Sequence, residues 1–99
     1  MPTLSELKGR PRVAKQEFID ALEALASDGK ELGLLVEVRE VIAILDRCNP
    51  PLIRKDLEML KGYCRRASTD LEHSGKSWAA QEWTKILETI ESRLGQMPR

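Results

Sequence analysis

The chain has 99 residues and balances 16 basic side chains against 16 acidic ones. This length provides one hydrophobic core and excludes a second domain, and the zero net charge excludes a whole-molecule field that attracts nucleic acid or a membrane surface. Two cysteines do not form a disulfide framework, and no stretch has the apolar length of a membrane span, so we expect a cytoplasmic protein without membrane contact.

The first ten residues predict one helical turn, because Thr3 and Glu6 have the spacing of a capping box. We expect three segments along the chain. Residues 1–10 form a basic N-terminal arm, residues 11–95 form a single helical-bundle domain, and residues 96–99 form a frayed tail.

A short basic motif, Lys8-Gly9-Arg10-Pro11-Arg12, overlaps the end of this arm. It resembles the core of an AT-hook, a Gly-Arg-Pro tripeptide flanked by basic residues whose arginines lie along the minor groove of A·T-rich DNA. The resemblance covers five residues and implies that Arg10 enters the groove, with Lys8 where the family usually has arginine. The basic residues that usually extend the hook upstream are missing. The alternative interpretation is that Pro11 starts a helix, since the first helical position needs no amide donor.

The first long helix is predicted from Pro11 to Ser27, with a break at Asp28-Gly29, where Gly29 suits a left-handed cap. Its acidic residues lie off the apolar stripe. The stripe has helical spacing and consists of Phe18, Ala21, Leu22, Leu25 and Ala26.

The most apolar run in the chain extends from Leu34 to Cys48 and predicts a second helix from about Lys30 to Cys48. Val36 and Ile44 lie outside its main apolar face, so little of the circumference is left for water. We therefore expect burial by several neighbours or by a second subunit. The main face consists of Leu34, Leu35, Val38, Val41, Ile42, Leu45 and Cys48.

A strand is the alternative for this run, because apolar and polar residues alternate from Val36 to Arg39 and β-branched residues are frequent. The alternation ends after Arg39, whereas the helical pattern continues. No other segment offers a strand partner, and a lone strand leaves its backbone unpaired. The helix is therefore the favoured interpretation.

Asn49-Pro50-Pro51 breaks the chain before a third helix, predicted from Pro51 to about Ser74. Its apolar positions alternate steps of four and three, as in a bundle or coiled coil. They are Ile53, Leu57, Leu60, Cys64, Ala67 and Leu71. A fourth helix is predicted from Trp78 to about Leu94, with Ser77 as its cap and Gly95 as its stop.

These helices predict an all-α fold, an antiparallel up-down four-helix bundle preceded by the short helical turn. The third helix is the longest and overhangs its partners, and the second is apolar nearly all round. We therefore expect a homo-oligomer, most simply a dimer, that forms through helices two and three. The predicted oligomer interface is Leu34, Leu35, Val38, Val41, Ile42 and Leu45.

Catalytic and metal-binding patterns are absent from the sequence. His73, the single histidine, has no nucleophile or orienting acid near it in sequence. Two cysteines and one histidine fall short of a structural zinc site, and no glycine-rich phosphate loop occurs. We expect no enzyme activity, no cofactor and no metal.

Surface charge suggests where a partner binds, because residues 49–66 carry five basic and two acidic groups. Arg54, Lys61 and Arg65 lie on one side of the third helix, and Trp78 is either an exposed anchor or a cap over the bundle end. We expect a regulator, inhibitor or assembly factor that docks onto a partner protein through these four residues. Another interpretation pairs the basic stripe with the chain's own acidic side chains Glu17, Asp20 and Glu23.

Nucleic-acid binding is the alternative function. It combines the arm with the basic face of the third helix, where cations contact phosphates. The residues predicted for it are Lys8, Arg10, Arg12, Lys55 and Arg66.

Overall fold

The chain is mostly helical in the computed structural model, which describes residues 2–98. The prediction of an all-α class is confirmed. In chain order the elements are α1 (Leu4–Leu7), β1 (Val13–Ala14), α2 (Lys15–Ser27), α3 (Leu32–Leu35), α4 (Val38–Asp46), β2 (Cys48–Asn49), α5 (Arg54–His73) and α6 (Ser77–Gln96).

The two longest helices, α5 and α6, form an antiparallel hairpin with the most extensive helix–helix contact in the described chain. The turn between them contains Gly75 at a φ of +80°, a left-handed conformation that glycine adopts without steric cost. Each helix has 20 residues. The predicted overhang of the third helix is therefore wrong, because α6 starts at Ser77 and continues past the predicted stop at Gly95.

The apolar seam of α5 is buried as its spacing predicts, except at the first position. Ile53 precedes the helix and is exposed, since the helix begins at Arg54 and not at Pro51. The buried members are Leu57, Leu60, Cys64, Ala67 and Leu71. On α6 the side chain of Trp83 is fully buried, and Trp83 Nε1 donates a hydrogen bond to the carbonyl oxygen of Lys30 at 3.4 Å.

Helix α2 packs against α5 and begins at Lys15, later than the predicted Pro11. The residues just before it form β1, in which Val13 and Ala14 pair in parallel with Cys48 and Asn49. Val13 is buried, and its extended backbone lets this β-branched side chain enter the core. The prediction that no segment pairs with the central run is therefore wrong for its last residue, Cys48.

The predicted continuous second helix is also wrong, because α3 and α4 are separated by Val36 and Glu37. Val36 has the extended angles φ −159° and ψ 145°. In an unbroken helix, Leu32 and Val41 would point to opposite sides, since nine residues turn a helix through about 900°. The break allows Leu32, Val36 and Val41 to enter the same core, where all three are buried.

The break also shifts the buried face of the central run. Ile44 and Val36, predicted to lie off the main face, are buried, whereas Ile42 is half-buried. The side chains of Leu34 and Leu35 are exposed. The buried residues of α4 are Val41, Ile44 and Leu45.

The N-terminal turn is confirmed, since Thr3 Oγ1 accepts a hydrogen bond from the Glu6 N–H at 3.3 Å and α1 follows directly. Leu4 and Leu7 of α1 are buried in the core. The segment predicted as an arm therefore contributes to the packing of the domain. The left-handed conformation predicted for Gly29 is confirmed by its φ of +64°.

Candidate interaction surface

Three large apolar side chains are exposed on α3 and at the start of α6. Leu34 is 76% exposed, Leu35 is 50% exposed and Trp78 is 49% exposed. We refer to these three residues as the apolar corner. Exposure of Trp78 leaves it free to act as an anchor, whereas packing over the bundle end would bury it.

Helix α3 lies against α6. Lys76 Nζ lies 3.3 Å from the carboxylate of Glu31. At Gly33 a Cβ atom would lie 2.8 Å from Glu82 Oε1, so this glycine permits a close approach of the two helices. Trp78 precedes Glu82 by one helical turn and lies on the same side of α6. The residues of the apolar corner therefore lie on two helices that contact each other.

The predicted oligomer interface is divided between surface and core. Leu34 and Leu35 belong to the apolar corner, and Val38 and Ile42 are half-buried. Val41 and Leu45 are buried within the single chain. Those two residues are not accessible to a second subunit while the domain is folded.

The predicted basic stripe on α5 makes contacts within the chain. Arg54 Nη2 donates to the carbonyl oxygen of Leu94 at 3.0 Å and to that of Met97 at 3.1 Å. Lys61 Nζ lies 3.9 Å from Glu91 Oε2. The acidic partners proposed on the first long helix are therefore not used by these two cations, which contact α6.

Arg65, the third member of the stripe, is exposed and shares the outer side of α5 with two further cations. Lys55 and Arg66 are also exposed. None of these three cations forms an ion pair within residues 2–98. The positive charge available to a partner on α5 is thus carried by Lys55, Arg65 and Arg66.

The basic motif near the N-terminus is partly engaged with the rest of the domain. Arg10 Nη1 lies 2.7 Å from the Glu17 carboxylate, and Arg47 Nη2 donates to the carbonyl oxygen of Lys8 at 2.7 Å. Arg12 is exposed. The side chain predicted to enter a DNA groove is therefore paired with α2.

A groove of about 270 Å³ lies between α1, α2 and α3. We call it the α1–α2 groove. Its apolar wall includes Leu4, Ala24 and Val36, and its polar rim includes Asp20, Asp28 and Lys30. Sequence reasoning missed this groove because its walls come from three elements that are not contiguous in the chain.

Reactive groups are few. Burial raises the pKa of Cys64 to about 12, and burial together with the charge of Asp46 raises the pKa of Cys48 to about 11. His73 is exposed at the end of α5. Within residues 2–98, no group of three or more His, Cys, Asp or Glu side chains is placed to hold a metal ion. None of the described helices combines the length and apolarity needed to cross a membrane.

Charge and shape thus distinguish three surfaces: the apolar corner, the outer side of α5 and the α1–α2 groove. Each presents side chains that the fold leaves accessible. The chain matches no family model, no curated protein and no solved structure.

Proposed function

We propose that this chain is a non-enzymatic interaction module, a small regulator, inhibitor or assembly factor, that docks onto a partner protein through the apolar corner. The supporting observation is the exposure of Leu34, Leu35 and Trp78 on two helices that contact each other. Binding energy in protein interfaces is concentrated in a few anchors, among which tryptophan is enriched. Exposed apolar side chains gathered on one surface are typical of interaction sites.

Self-association through the same corner belongs to this proposal. Leu34 and Leu35 are the members of the predicted oligomer interface that remain accessible. A homodimer would bury them against a second copy and would complete a helical assembly larger than one chain. We also propose a cytoplasmic location, which fits two cysteines that are free.

The experiment is affinity capture from the native host with the tagged chain. Leu34→Ser and Trp78→Ala are compared with Met59→Ser, a control that removes an exposed apolar side chain from α5 instead. We expect the wild type and the control to capture the same partner protein and both corner variants to lose it. With the partner purified, Trp78→Ala should weaken the Kd about tenfold or more.

Undiminished capture by both corner variants, with all proteins folded by circular dichroism, would reject the corner as the docking site. Sedimentation of the purified chain tests self-association separately. A monomer that still captures its partner would remove the homodimer from the proposal and leave docking in place.

Nucleic-acid binding is the second candidate, favoured by the exposure of Lys55 and Arg66 without ion pairs in the described chain. The pairing of Arg10 with Glu17 argues against the part assigned to the N-terminal motif. A DNA binder should shift A·T-rich duplex in a strongly salt-dependent way, and Lys55→Gln with Arg66→Gln should reduce the salt slope by about two. Absence of any shift at low salt would reject this candidate.

A further inference from the structure

The α1–α2 groove has an acidic wall. Among the residues of α2, Lys15 is the one cation, and its ammonium is directed to Asp56 on α5 at 3.1 Å. The carboxylate of Asp20 lines the groove, and so does that of Asp28, which follows the helix end. Lys30 also lines the groove, so a molecule there meets two carboxylates and one ammonium, with a net negative charge.

The charge of Asp20 is not compensated by a cation within 4 Å in the described chain, since its hydrogen-bond partner at 2.9 Å is the neutral amide of Gln16. Asp28 has Lys30 at 3.8 Å, and both side chains are more than half exposed. That pair contributes little in water. The rim can therefore accept a further positive charge.

The groove is continuous with the apolar corner. Leu35 lines the groove on one side, and on the other side it lines a shallow depression together with Leu34 and Lys76. A chain segment seated on Leu34 can thus extend past Leu35 towards Ala24. The volume of about 270 Å³ is near the lower limit of small-molecule pockets and suits one or two side chains.

We propose that the α1–α2 groove holds a basic amphipathic segment of the partner protein, with its apolar side chains on Ala24 and Val36 and its Lys or Arg side chains facing Asp20 and Asp28. This inference rests on the docking function proposed above and names the chemistry of the partner. An acidic segment would place like charges against both carboxylates. A basic segment gains apolar burial from the wall and attraction from the rim, which favours specific pairing and fast association.

A second copy of the chain is the competing occupant, since the outer side of α5 combines Lys55, Met59 and Arg66. Met59 is the exposed apolar side chain on that side, and the neighbouring Gly62 has no side chain that could enter the groove. A partner segment with two neighbouring apolar side chains fills the groove better than this single methionine.

The test uses fluorescence anisotropy with two labelled peptides, a short Leu/Lys amphipathic peptide and its Leu/Glu counterpart with the same leucine positions. We expect the full chain to bind the Leu/Lys peptide and not the Leu/Glu peptide, with a Kd that rises with salt. Ala24→Trp should fill the groove and weaken binding about tenfold. Ser27→Trp is the matched control, because this exposed residue lies on the same helix outside the groove.

The rim is tested with Asp20→Asn and Asp28→Asn combined, which should weaken binding about threefold to tenfold and reduce its salt dependence. Asp70→Asn, an exposed carboxylate on α5, should change neither. Equal binding of the two peptides, or binding unchanged by Ala24→Trp in a folded variant, would overturn the proposal. If the wild type self-associates and Ala24→Trp abolishes that self-association, the proposal is overturned and the groove holds a second copy of the chain.

Failure of this inference is distinguishable from failure of the docking function. If Leu34→Ser abolishes capture of the native partner and Ala24→Trp does not, the groove is rejected and the apolar corner remains the docking site. Capture that is retained with Ala24→Trp and with both corner variants, Leu34→Ser and Trp78→Ala, rejects both the groove and the corner.

Discussion

The ammonium of Lys15 lies 3.1 Å from the carboxylate of Asp56, which joins the first residue of α2 to the first turn of α5. Asp56 Oδ2 also accepts a hydrogen bond from the Ile53 N–H at 2.9 Å. Burial alone raises the pKa of Asp56, but the bond from Ile53 and the charge of Lys15 outweigh it and hold this pKa below its usual value. One carboxylate therefore caps α5 and fixes its contact with α2.

We expect Asp56→Asn to lower the free energy of unfolding by about 1–3 kcal/mol near neutral pH, because the variant loses a charge-assisted bond to Lys15. The folded-state pKa is lower than the unfolded-state pKa, so the contribution is complete above the unfolded-state value. It is lost as the pH falls through the folded-state value. Urea denaturation at several pH values should show the two proteins converging in acid.

Asp70→Asn is the control for this experiment, since Asp70 is an exposed carboxylate on the same helix. Its effect should stay within about 0.5 kcal/mol at every pH. A wild-type protein and an Asp56→Asn variant that differ equally at neutral and acid pH would contradict an ionised Asp56 in the folded state.

The long helices were predictable because their signals are local. The buried apolar positions from Leu57 to Leu71 repeat over several turns of α5, and such a repeat is compatible with only one helical face. The central run has no such redundancy. The spacing of its apolar residues is compatible with one continuous helix. That Val36 is extended instead depends on where the core lies in three dimensions.

The sequence indicated which residues could form the candidate site, but not which of them are exposed and which contact other parts of the chain. Trp78 is exposed, which sequence reasoning left open against end packing. The contact of Arg54 with Leu94 spans 40 positions, and no sequence pattern reports such a pair. For Asp56 a signal existed, because an acid in the first helical turn after Pro50-Pro51 is typical of helix starts.

Substitution of two isoleucines can test which face of α4 is buried. Ile44 is fully buried and Ile42 is half-buried. We expect Ile44→Ala to cost about 2–5 kcal/mol through lost burial and a cavity, and Ile42→Ala to cost about 1 kcal/mol. Chemical denaturation of both variants gives the comparison. Equal losses of unfolding free energy, or a larger loss at Ile42, would instead support the buried face that the sequence predicts.

The two cysteines should be unreactive in the folded protein. Cys48 has a pKa of about 11, so at about pH 8 roughly one thiol in a thousand is ionised. Cys64, with a pKa of about 12 and full burial, should react more slowly still. Alkylation with iodoacetamide followed by mass spectrometry should modify neither residue until denaturant is added. Rapid native labelling of Cys64 would contradict its burial.

Single alanine variants of the three residues in the basic stripe should lower the free energy of unfolding by different amounts. Arg54 bonds two carbonyl oxygens at the end of α6, where the last carbonyls of a helix have no partner within it. We expect Arg54→Ala to lower the free energy of unfolding by about 1–2 kcal/mol, because it leaves those acceptors without this donor.

Lys61→Ala should cost less than about 1 kcal/mol, since its contact with Glu91 is a partly exposed ion pair at 3.9 Å. Arg65→Ala should stay within about 0.5 kcal/mol, because Arg65 is exposed and has no ion pair within residues 2–98. Urea denaturation of the three variants measures the order, and a double variant of Lys61 and Glu91 isolates their coupling. Equal and negligible effects at all three positions would mean that Arg54 does not stabilise the end of α6 and that the whole stripe is free for a partner. A large loss at Arg54 alone means that a binding defect of Arg54→Ala reflects damage to the α5–α6 hairpin, so partner contacts on α5 should be mapped with Arg65.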